Sequence, residues 1–228
     1  MDQKNKIPVV EIFESLQGEG PTAGMPATFI RLFGCNLECR FCDTAYALHG
    51  NKEWMDFSSL KRKVEKYPSS WETIVFTGGE PLLWKDKIDA LCYHYLYQLT
   101  KRFEIETNGT ILPPVIDTSK IFYNVSPKLG SSCTPVRKRR KLDVLKKFAT
   151  MDRAMFKFPI ANEKDVVEAL SLIKKCTIDT QHVSFMPVAA NRMALITKTQ
   201  WLWGFCVKHK IRMSPRLHIL AFGEERGI

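Results

Sequence analysis

Three cysteines stand within eight positions of one another, in the spacing Cys35-x3-Cys39-x2-Cys42. Three thiolates at this spacing can fold around one iron–sulfur cubane and ligate three of its irons, which leaves the fourth iron open to another molecule. A structural zinc site would use a fourth Cys or His, and the nearest histidine, His49, does not stand at a usual zinc spacing. The pattern therefore favours a [4Fe-4S] cluster over the two alternatives, a zinc site and unrelated core cysteines.

Further polar or glycine-rich groups follow short apolar stretches. The turn Thr77-Gly78-Gly79-Glu80-Pro81 ends the apolar stretch 74–77, and Ser126-Pro127-Lys128 ends the stretch 121–125. Glycine has no Cβ and lets a backbone approach a ligand closely. The turn at 77–81 is therefore a candidate ligand-binding turn, with an ordinary loop as the alternative.

These groups need a scaffold that brings them together. Apolar patterns predict strands at residues 9–13, 27–33, 74–77, 102–106, 121–125, 154–158, 182–186 and 211–213, and helices at 87–100, 163–175 and 193–208. Such alternation predicts right-handed βαβ units and a parallel sheet. A closed eight-fold barrel takes about 250 residues, so we expect a single α/β domain over 1–228, a partial (β/α)6 barrel with reduced helix content. The active site of such a sheet lies at the carboxyl ends of its strands, where every group named above falls.

Composition supports one globular domain. Hydrophobic residues make up 45% of the chain and the formal net charge is +10, a field that attracts anionic substrates, cofactors or redox partners. No apolar run reaches the roughly 20 residues of a membrane span, and the first residues do not form a signal-peptide core. We therefore expect a cytoplasmic protein, in whose reducing environment seven cysteines favour metal ligation over disulfides.

The cysteine spacing, with an aromatic residue (Phe41) before the last cysteine, resembles the signature of the radical S-adenosylmethionine (SAM) superfamily. The turn at Gly78-Gly79-Glu80 resembles the superfamily's second mark, and it follows in the expected order. The resemblance implies a [4Fe-4S] cluster on Cys35, Cys39 and Cys42, and SAM bound beside it.

Four further features resemble the 7-carboxy-7-deazaguanine synthase family over nearly the whole chain. They are the segment 15–20, Asp43-Thr44 directly after Cys42, the turn 126–128, and the closing segments 214–218 and 222–228. The resemblance implies a radical SAM lyase that converts 6-carboxy-5,6,7,8-tetrahydropterin to 7-carboxy-7-deazaguanine, on the route to queuosine and related 7-deazaguanines. The implied reaction removes a hydrogen atom from C6, contracts the ring and releases ammonia, with SAM, the cluster and Mg2+ as cofactors.

The resemblance also implies roles for individual residues. Those implied to contact SAM are Phe41, Cys42, Asp43, Gly79, Ser126, Pro127 and Lys128. Those implied to contact the pterin are Leu16, Gln17, Gly18, Arg31, Thr77, His218 and the terminal carboxylate of Ile228, which a tail over 214–228 would fold over the substrate. Thr44 would offer its hydroxyl to Mg2+.

The implied partners are flavodoxin or ferredoxin as electron donor and a second copy of the chain in a homodimer. The basic run 137–141 is interpreted as a solvated loop, with docking of a redox partner as a sub-hypothesis and nucleic-acid binding as the disfavoured alternative. Two other functions remain as alternatives: an activase that installs a glycyl radical on a partner protein, and a non-catalytic metal-binding module that contacts nucleic acid.

Overall fold

One mixed sheet organises the chain. The computed structural model describes residues 5–114, 119–223 and 225, and within them the strands are β1 (Lys6–Leu16), β2 (Pro26–Leu32), β3 (Glu53–Asp56), β4 (Thr73–Gly78), β5 (Arg102–Thr107), β6 (Ile121–Val125), β7 (Ala154–Ile160), β8 (Val183–Pro187) and β9 (Arg212–Met213). Their spatial order is β3-β1-β2-β4-β5-β6-β7-β8-β9. From β2 to β9 every neighbouring pair is parallel, whereas β1 runs antiparallel to β2 and β3 antiparallel to β1.

Helices fill most of the crossovers between parallel strands. They are α1 (Tyr46–His49), α2 (Phe57–Val64), α3 (Lys85–Leu91), α4 (Val136–Arg139), α5 (Leu142–Ala149), α6 (Glu163–Cys176), α7 (Arg192–His209) and α8 (Leu217–Phe222). The crossover from β5 to β6 contains no helix in its described residues. The expected partial barrel with reduced helix content is confirmed, with β2 and β4 to β8 as its six main strands.

The boundaries of some elements differ from the sequence prediction. The predicted helix 87–100 is α3 followed by one π-helical turn at Cys92–Leu96. Strand β3 was not predicted, because only Met55 among its four residues is buried and so its apolar signal is weak. Both ends of helices α6 and α7 lie within one residue of the predicted ends. Each helix begins after an asparagine cap: the Asn162 side chain accepts the backbone N–H of Asp165, and that of Asn191 accepts the N–H of Ala194.

The interpretation of residues 137–141 as a solvated loop is wrong in two respects: the run begins in a helix, and Arg139 and Arg140 point inward. Residues 136–139 form the short helix α4, and the side chain of Arg139 is only 5% exposed. Arg139 and Arg140 both bind the carboxylate of Glu168 on α6. A carboxylate 28 residues further along the chain therefore orders this segment.

The core lies between the sheet and its helices. Its largest fully buried side chains include Phe76, Phe103, Phe156, Phe158 and Phe185, one each from β4 and β5, two from β7 and one from β8. Each such ring contributes about 2–3 kcal/mol through burial, so the strands that carry the site are held firmly. Among the described residues, no helix is long and apolar enough to cross a membrane.

Candidate active site

A cavity of about 810 Å³ opens at the carboxyl ends of the parallel strands. Its lining includes most of the residues singled out from the sequence: Leu16, Gln17, Gly18, Arg31, Cys35, Cys39, Phe41, Cys42, Asp43, Thr44, Thr77, Gly79, Ser126, Lys128 and His218. Pro127 is buried beside the cavity and does not line it, and Ile228 lies outside the described residues. One space thus joins residues from distant parts of the chain, whereas their individual roles remain predictions.

The cysteine loop leaves β2 and borders this cavity with all three sulfurs in reach of polar hydrogens. Cys35 Sγ accepts from the backbone N–H of Leu37 at 3.4 Å and from Asn108 Nδ2 at 3.9 Å. Cys39 Sγ accepts from Thr134 Oγ1 at 3.8 Å, and Cys42 Sγ lies 3.6 Å from Thr44 Oγ1. Such contacts stabilise thiolates and tune the potential of a bound cluster.

The three cysteines border the same cavity. Within residues 5–114, 119–223 and 225, no set of three or more His, Cys, Asp or Glu side chains is gathered closely enough to hold a single metal ion. Burial raises the pKa of the Cys35 thiol to about 11, against the effect of the Leu37 N–H. A metal centre would bind that sulfur as the thiolate. This donor set fits the three-cysteine ligation of a cubane.

The glycines at the end of β4 are required for a reason that the sequence did not indicate. A Cβ on Gly78, whose φ is +136°, would lie 2.2 Å from the Leu32 carbonyl oxygen, and one on Gly79 would lie 2.1 Å from that of Gly34. The backbone that approaches these glycines is therefore the start of the cysteine loop. Glu80 N donates to Gly34 O at 2.8 Å and completes this contact. The turn therefore packs against the backbone that leads into Cys35.

The Glu80 carboxylate extends this support to β5. It is fully buried and accepts from Thr107 Oγ1 at 2.8 Å, Asn108 N at 2.7 Å and Leu82 N at 2.9 Å. Burial raises the pKa of Glu80, although these hydrogen bonds oppose the change. The motif glutamate thus fixes Asn108, the residue that reaches the Cys35 sulfur.

On the other side of the cavity, one carboxylate orders two of the predicted pterin contacts. Glu106, near the end of β5, accepts from Gln17 Nε2 at 3.1 Å and from Thr77 Oγ1 at 2.7 Å. Glu106 was not singled out from the sequence, since it is a lone carboxylate before an ordinary turn. Its position at a strand's carboxyl end was the available signal.

Arg31 lies beside Thr77, because β2 and β4 pair in that register. A bulge in β1 brings Glu11 directly across from Arg31, and Arg31 Nε donates to Glu11 Oε1 at 2.6 Å. Tyr46 Oη donates to the same oxygen at 2.7 Å. The ion pair uses only Nε of Arg31, and the side chain is 13% exposed at the cavity wall, so its terminal nitrogens are suited to a carboxylate.

Glu19, in the turn 17–20, is the centre of a buried ionic network. Its carboxylate binds Lys157 Nζ at 2.5 Å and Arg216 Nε at 2.9 Å, and lies 3.8 Å from His218 Nε2. Burial alone would raise the pKa of Glu19, but Lys157 and Arg216 outweigh it and hold this pKa well below its usual range. Lys157 and Arg216 were missed as functional residues, although a lysine inside an apolar strand was a visible signal.

His218 packs directly against the N-terminal turn. A Cβ on Gly18 would lie 2.2 Å from His218 Nδ1, and the Leu217 backbone N–H donates to Gly18 O at 2.9 Å. Burial lowers the pKa of His218, and the Glu19 carboxylate opposes that change. The C-terminal segment thus closes one wall of the cavity.

Two smaller groups complete the site. Thr44 Oγ1 donates to Gly78 O at 3.4 Å and so lies between the cysteine loop and β4. Lys128 Nζ donates to Ser126 Oγ at 3.0 Å, and its side chain borders the cavity near Cys35.

Known proteins resemble the chain over its full length. The family model of the radical SAM superfamily matches residues 29–122. The 7-carboxy-7-deazaguanine synthase of Hyperthermus butylicus is 37% identical over 220 residues, which cover 93% of this chain and 92% of that protein. The synthase of Pyrobaculum aerophilum is 33% identical and covers 100% of both chains.

Among solved structures, QueE from Escherichia coli shares the fold. Its TM-score is 0.70 at 24% identity, with 93% of this chain and 95% of that chain covered. Relatives of the same name at 30–31% identity also extend over 96% of the chain. The chain therefore belongs to the 7-carboxy-7-deazaguanine synthase family of the radical SAM superfamily.

Proposed function

We propose that the chain is a radical SAM lyase that converts 6-carboxy-5,6,7,8-tetrahydropterin to 7-carboxy-7-deazaguanine in 7-deazaguanine biosynthesis. The observation that carries the proposal is the shared cavity, in which the cysteine loop faces the turn 16–19, Arg31 and Thr77. Relatives with this activity in their names match the chain end to end. The product differs from the substrate by one ammonia, so the overall reaction is redox-neutral.

The chain uses a [4Fe-4S] cluster and SAM, as members of its superfamily do. We assign cluster ligation to Cys35, Cys39 and Cys42, which border one cavity; the sulfurs of Cys35 and Cys39 accept hydrogen bonds. When bound, the cluster and SAM supply hydrogen-atom abstraction, and the protein supplies binding, orientation and exclusion of water. The residues assigned to SAM are Phe41, Cys42, Asp43, Gly79, Ser126, Pro127 and Lys128.

Recognition of the pterin is assigned to the opposite wall. Gln17 and Thr77 are held at the cavity wall by Glu106 and are assigned to contact the ring. The terminal nitrogens of Arg31 suit the substrate carboxylate, since guanidinium binds carboxylates through two parallel hydrogen bonds. Leu16, Gly18 and His218 form the adjoining wall. Ile228 keeps its predicted role in the proposal, with the tail 214–228 closing over the substrate.

Mg2+ is the third proposed cofactor, with Thr44 as its protein ligand. Mg2+ takes oxygen ligands, keeps several waters and is often completed by anionic groups of the substrate. The chain supplies one hydroxyl oxygen, from Thr44. The neighbouring Asp43 carboxylate is already bound to Arg216 Nη2, at 2.7 Å. The donor set fits an ion held mainly by substrate and water.

Reduction of the cluster requires an electron donor, for which we propose flavodoxin or ferredoxin. We place the protein in the cytoplasm, where thiols stay reduced and where reduced carrier proteins can serve the cluster.

We also propose a homodimer formed through α7. Along this helix Met193, Trp203 and Val207 are 61–75% exposed, and an apolar groove beside it runs to β9 at the edge of the sheet. Apolar patches of this kind mark subunit interfaces. Trp203→Glu is expected to give a monomer by light scattering, whereas Trp71→Glu, at a tryptophan 57% exposed elsewhere, leaves the dimer. A wild-type monomer contradicts the assignment.

One experiment tests the function. The protein is reconstituted with iron and sulfide without oxygen, given dithionite, SAM, Mg2+ and the tetrahydropterin, and the products are followed by mass spectrometry. We expect 7-carboxy-7-deazaguanine. SAM cleavage with an intact pterin would favour the activase alternative. The absence of both a cluster and SAM cleavage would favour the metal-binding module.

A further inference from the structure

A basic surface lies next to the cysteine loop. Arg137 and Lys138 on α4, Lys141 just after it and Arg40 on the loop itself are all exposed. Among the described residues, no carboxylate forms an ion pair with any of these four side chains. Four unpaired cations are thus presented to solvent on one part of the molecule.

Direct bonds attach this surface to a cluster ligand. Arg40 N donates to Ser132 O at 2.9 Å, and Thr134 Oγ1 contacts both Glu38 O at 3.3 Å and Cys39 Sγ at 3.8 Å. Arg137 follows Thr134 by three residues, a chain distance of at most about 11 Å. The exposed cations therefore stand at the rim of the loop that carries the sulfurs.

The surface is also held rigidly. The inward residues of the basic run, Arg139 and Arg140, bind Glu168, and Arg139 further donates to Thr134 O at 3.1 Å and Lys128 O at 3.0 Å. Burial would raise the pKa of Glu168, but the two arginines reverse the effect and keep it ionised. The run is thus divided into two structural arginines and three outward cations.

We propose that Arg40, Arg137, Lys138 and Lys141 form the docking surface for an acidic one-electron carrier protein that reduces the cluster. This inference rests on the proposed function and adds to it the place where the donor binds. The carrier is oxidised by one electron and the cluster is reduced by one. Complementary charge speeds encounter and orients the partners, and the bond from Thr134 to Cys39 makes the path from this surface to the cluster short.

Nucleic acid fits this surface less well. Single-stranded binding sites combine cations with aromatic side chains on which bases stack, and residues 131–141 include no aromatic side chain. The surface adjoins the redox centre, a location with no evident use in binding a polynucleotide. RNA binding is therefore retained as an outcome of the test.

The test compares two double charge reversals. R137E/K138E changes the docking surface, and K174E/K175E makes the same charge change at two exposed lysines at the far end of α6. Binding of oxidised flavodoxin and of a plant-type ferredoxin to the reconstituted proteins is measured by calorimetry at low salt, and turnover is measured with each reduced carrier and with dithionite.

We expect R137E/K138E to weaken carrier binding about tenfold or more and to lower carrier-driven kcat/KM similarly. Its dithionite-driven rate should match that of the wild type, and K174E/K175E should change none of these values. Equal carrier binding by both variants would overturn the proposal, as would no binding of either carrier to the wild type. It would also be overturned if R137E/K138E lost salt-dependent RNA binding while carrier kinetics stayed normal. Failure of the dithionite-driven reaction in the wild type would instead count against the proposed function.

Discussion

Arg216 joins the turn 17–20 to the cysteine loop. Its Nε lies 2.9 Å from Glu19 Oε1, and its Nη2 lies 2.7 Å from Asp43 Oδ2. Glu19 belongs to the turn 17–20, and Asp43 directly follows Cys42. Arg216, in the C-terminal segment, therefore links the turn 17–20 to the cysteine loop.

Loss of the Glu19 charge should destabilise the fold strongly. Glu19→Gln leaves Lys157, whose side chain is 9% exposed, without its ion-pair partner, and leaves the 6% exposed Arg216 with Asp43 alone. Leaving a buried charge unpaired costs about 3–5 kcal/mol. Urea unfolding measures the loss, with Lys63→Ala as the control, because its exposed pair with Glu53 is worth less than about 1 kcal/mol. Equal effects of the two substitutions would show that the network is not structural.

The Glu19 carboxylate should also make the free energy of unfolding fall at acidic pH. Lys157 and Arg216 hold the folded pKa of Glu19 below its ordinary value of 4.5, and His218 is the third group facing it. The unfolded chain therefore takes up a proton first as the pH falls towards 4.5, and the stabilisation present at neutral pH is progressively lost. The difference in unfolding free energy between wild type and Glu19→Gln should shrink as the pH falls from about 6 to about 4. A difference independent of pH would contradict this assignment.

Each cluster cysteine should be essential, unlike the exposed cysteine nearby. Cys35→Ala, Cys39→Ala or Cys42→Ala removes one of three ligands and should abolish both iron binding and turnover. Cys133→Ala is the matched control, because Cys133 is exposed and has no assigned role. Iron and sulfide analysis with visible absorption measures the effect. A full cluster in any of the three variants would remove that residue from the ligand set.

Gly18→Ala should disturb substrate binding without removing the cluster. The added methyl would lie 2.2 Å from His218 Nδ1, and the imidazole at the end of a flexible side chain is what yields. We expect KM for the pterin to rise about tenfold or more, with normal iron content. If KM is unchanged while thermal stability falls, Gly18 and His218 have a packing role only.

The proposed magnesium ligand can be tested by a pair of substitutions. Thr44→Ala removes the hydroxyl and should raise the Mg2+ concentration needed for half-maximal activity, whereas Thr44→Ser keeps the oxygen and should preserve it. Activity after chelation and titration with Mg2+ gives both values. Identical titrations for the alanine and serine variants would remove Thr44 from the magnesium site.

Much of the site could be predicted because its signals are local in sequence. The cysteine spacing, the turn at 77–81 and the turn at 126–128 are each read within a few residues. The structure brings nearly all of these predicted residues to one cavity. The parallel part of the sheet follows from the alternation of strands and helices, whereas the antiparallel positions of β1 and β3 do not.

The supporting network could not be predicted, because its partners are far apart in sequence. Glu106 is 89 residues from Gln17, and Lys157 is 138 residues from Glu19. A lone charge in a strand does not reveal its partner until the register is known. For the same reason Gly79 was assigned to ligand approach, whereas the structure shows that its missing Cβ makes room for Gly34.

The path of one hydrogen atom tests whether SAM acts directly on the pterin. The reconstituted enzyme is given pterin deuterated at C6 together with SAM, and both SAM and product are examined by mass spectrometry. We expect 7-carboxy-7-deazaguanine together with deuterium in the recovered SAM, because in the proposed reaction SAM takes the C6 hydrogen and is regenerated after turnover. Product formation with deuterium-free SAM, or deuterium-free SAM beside intact pterin, would contradict it.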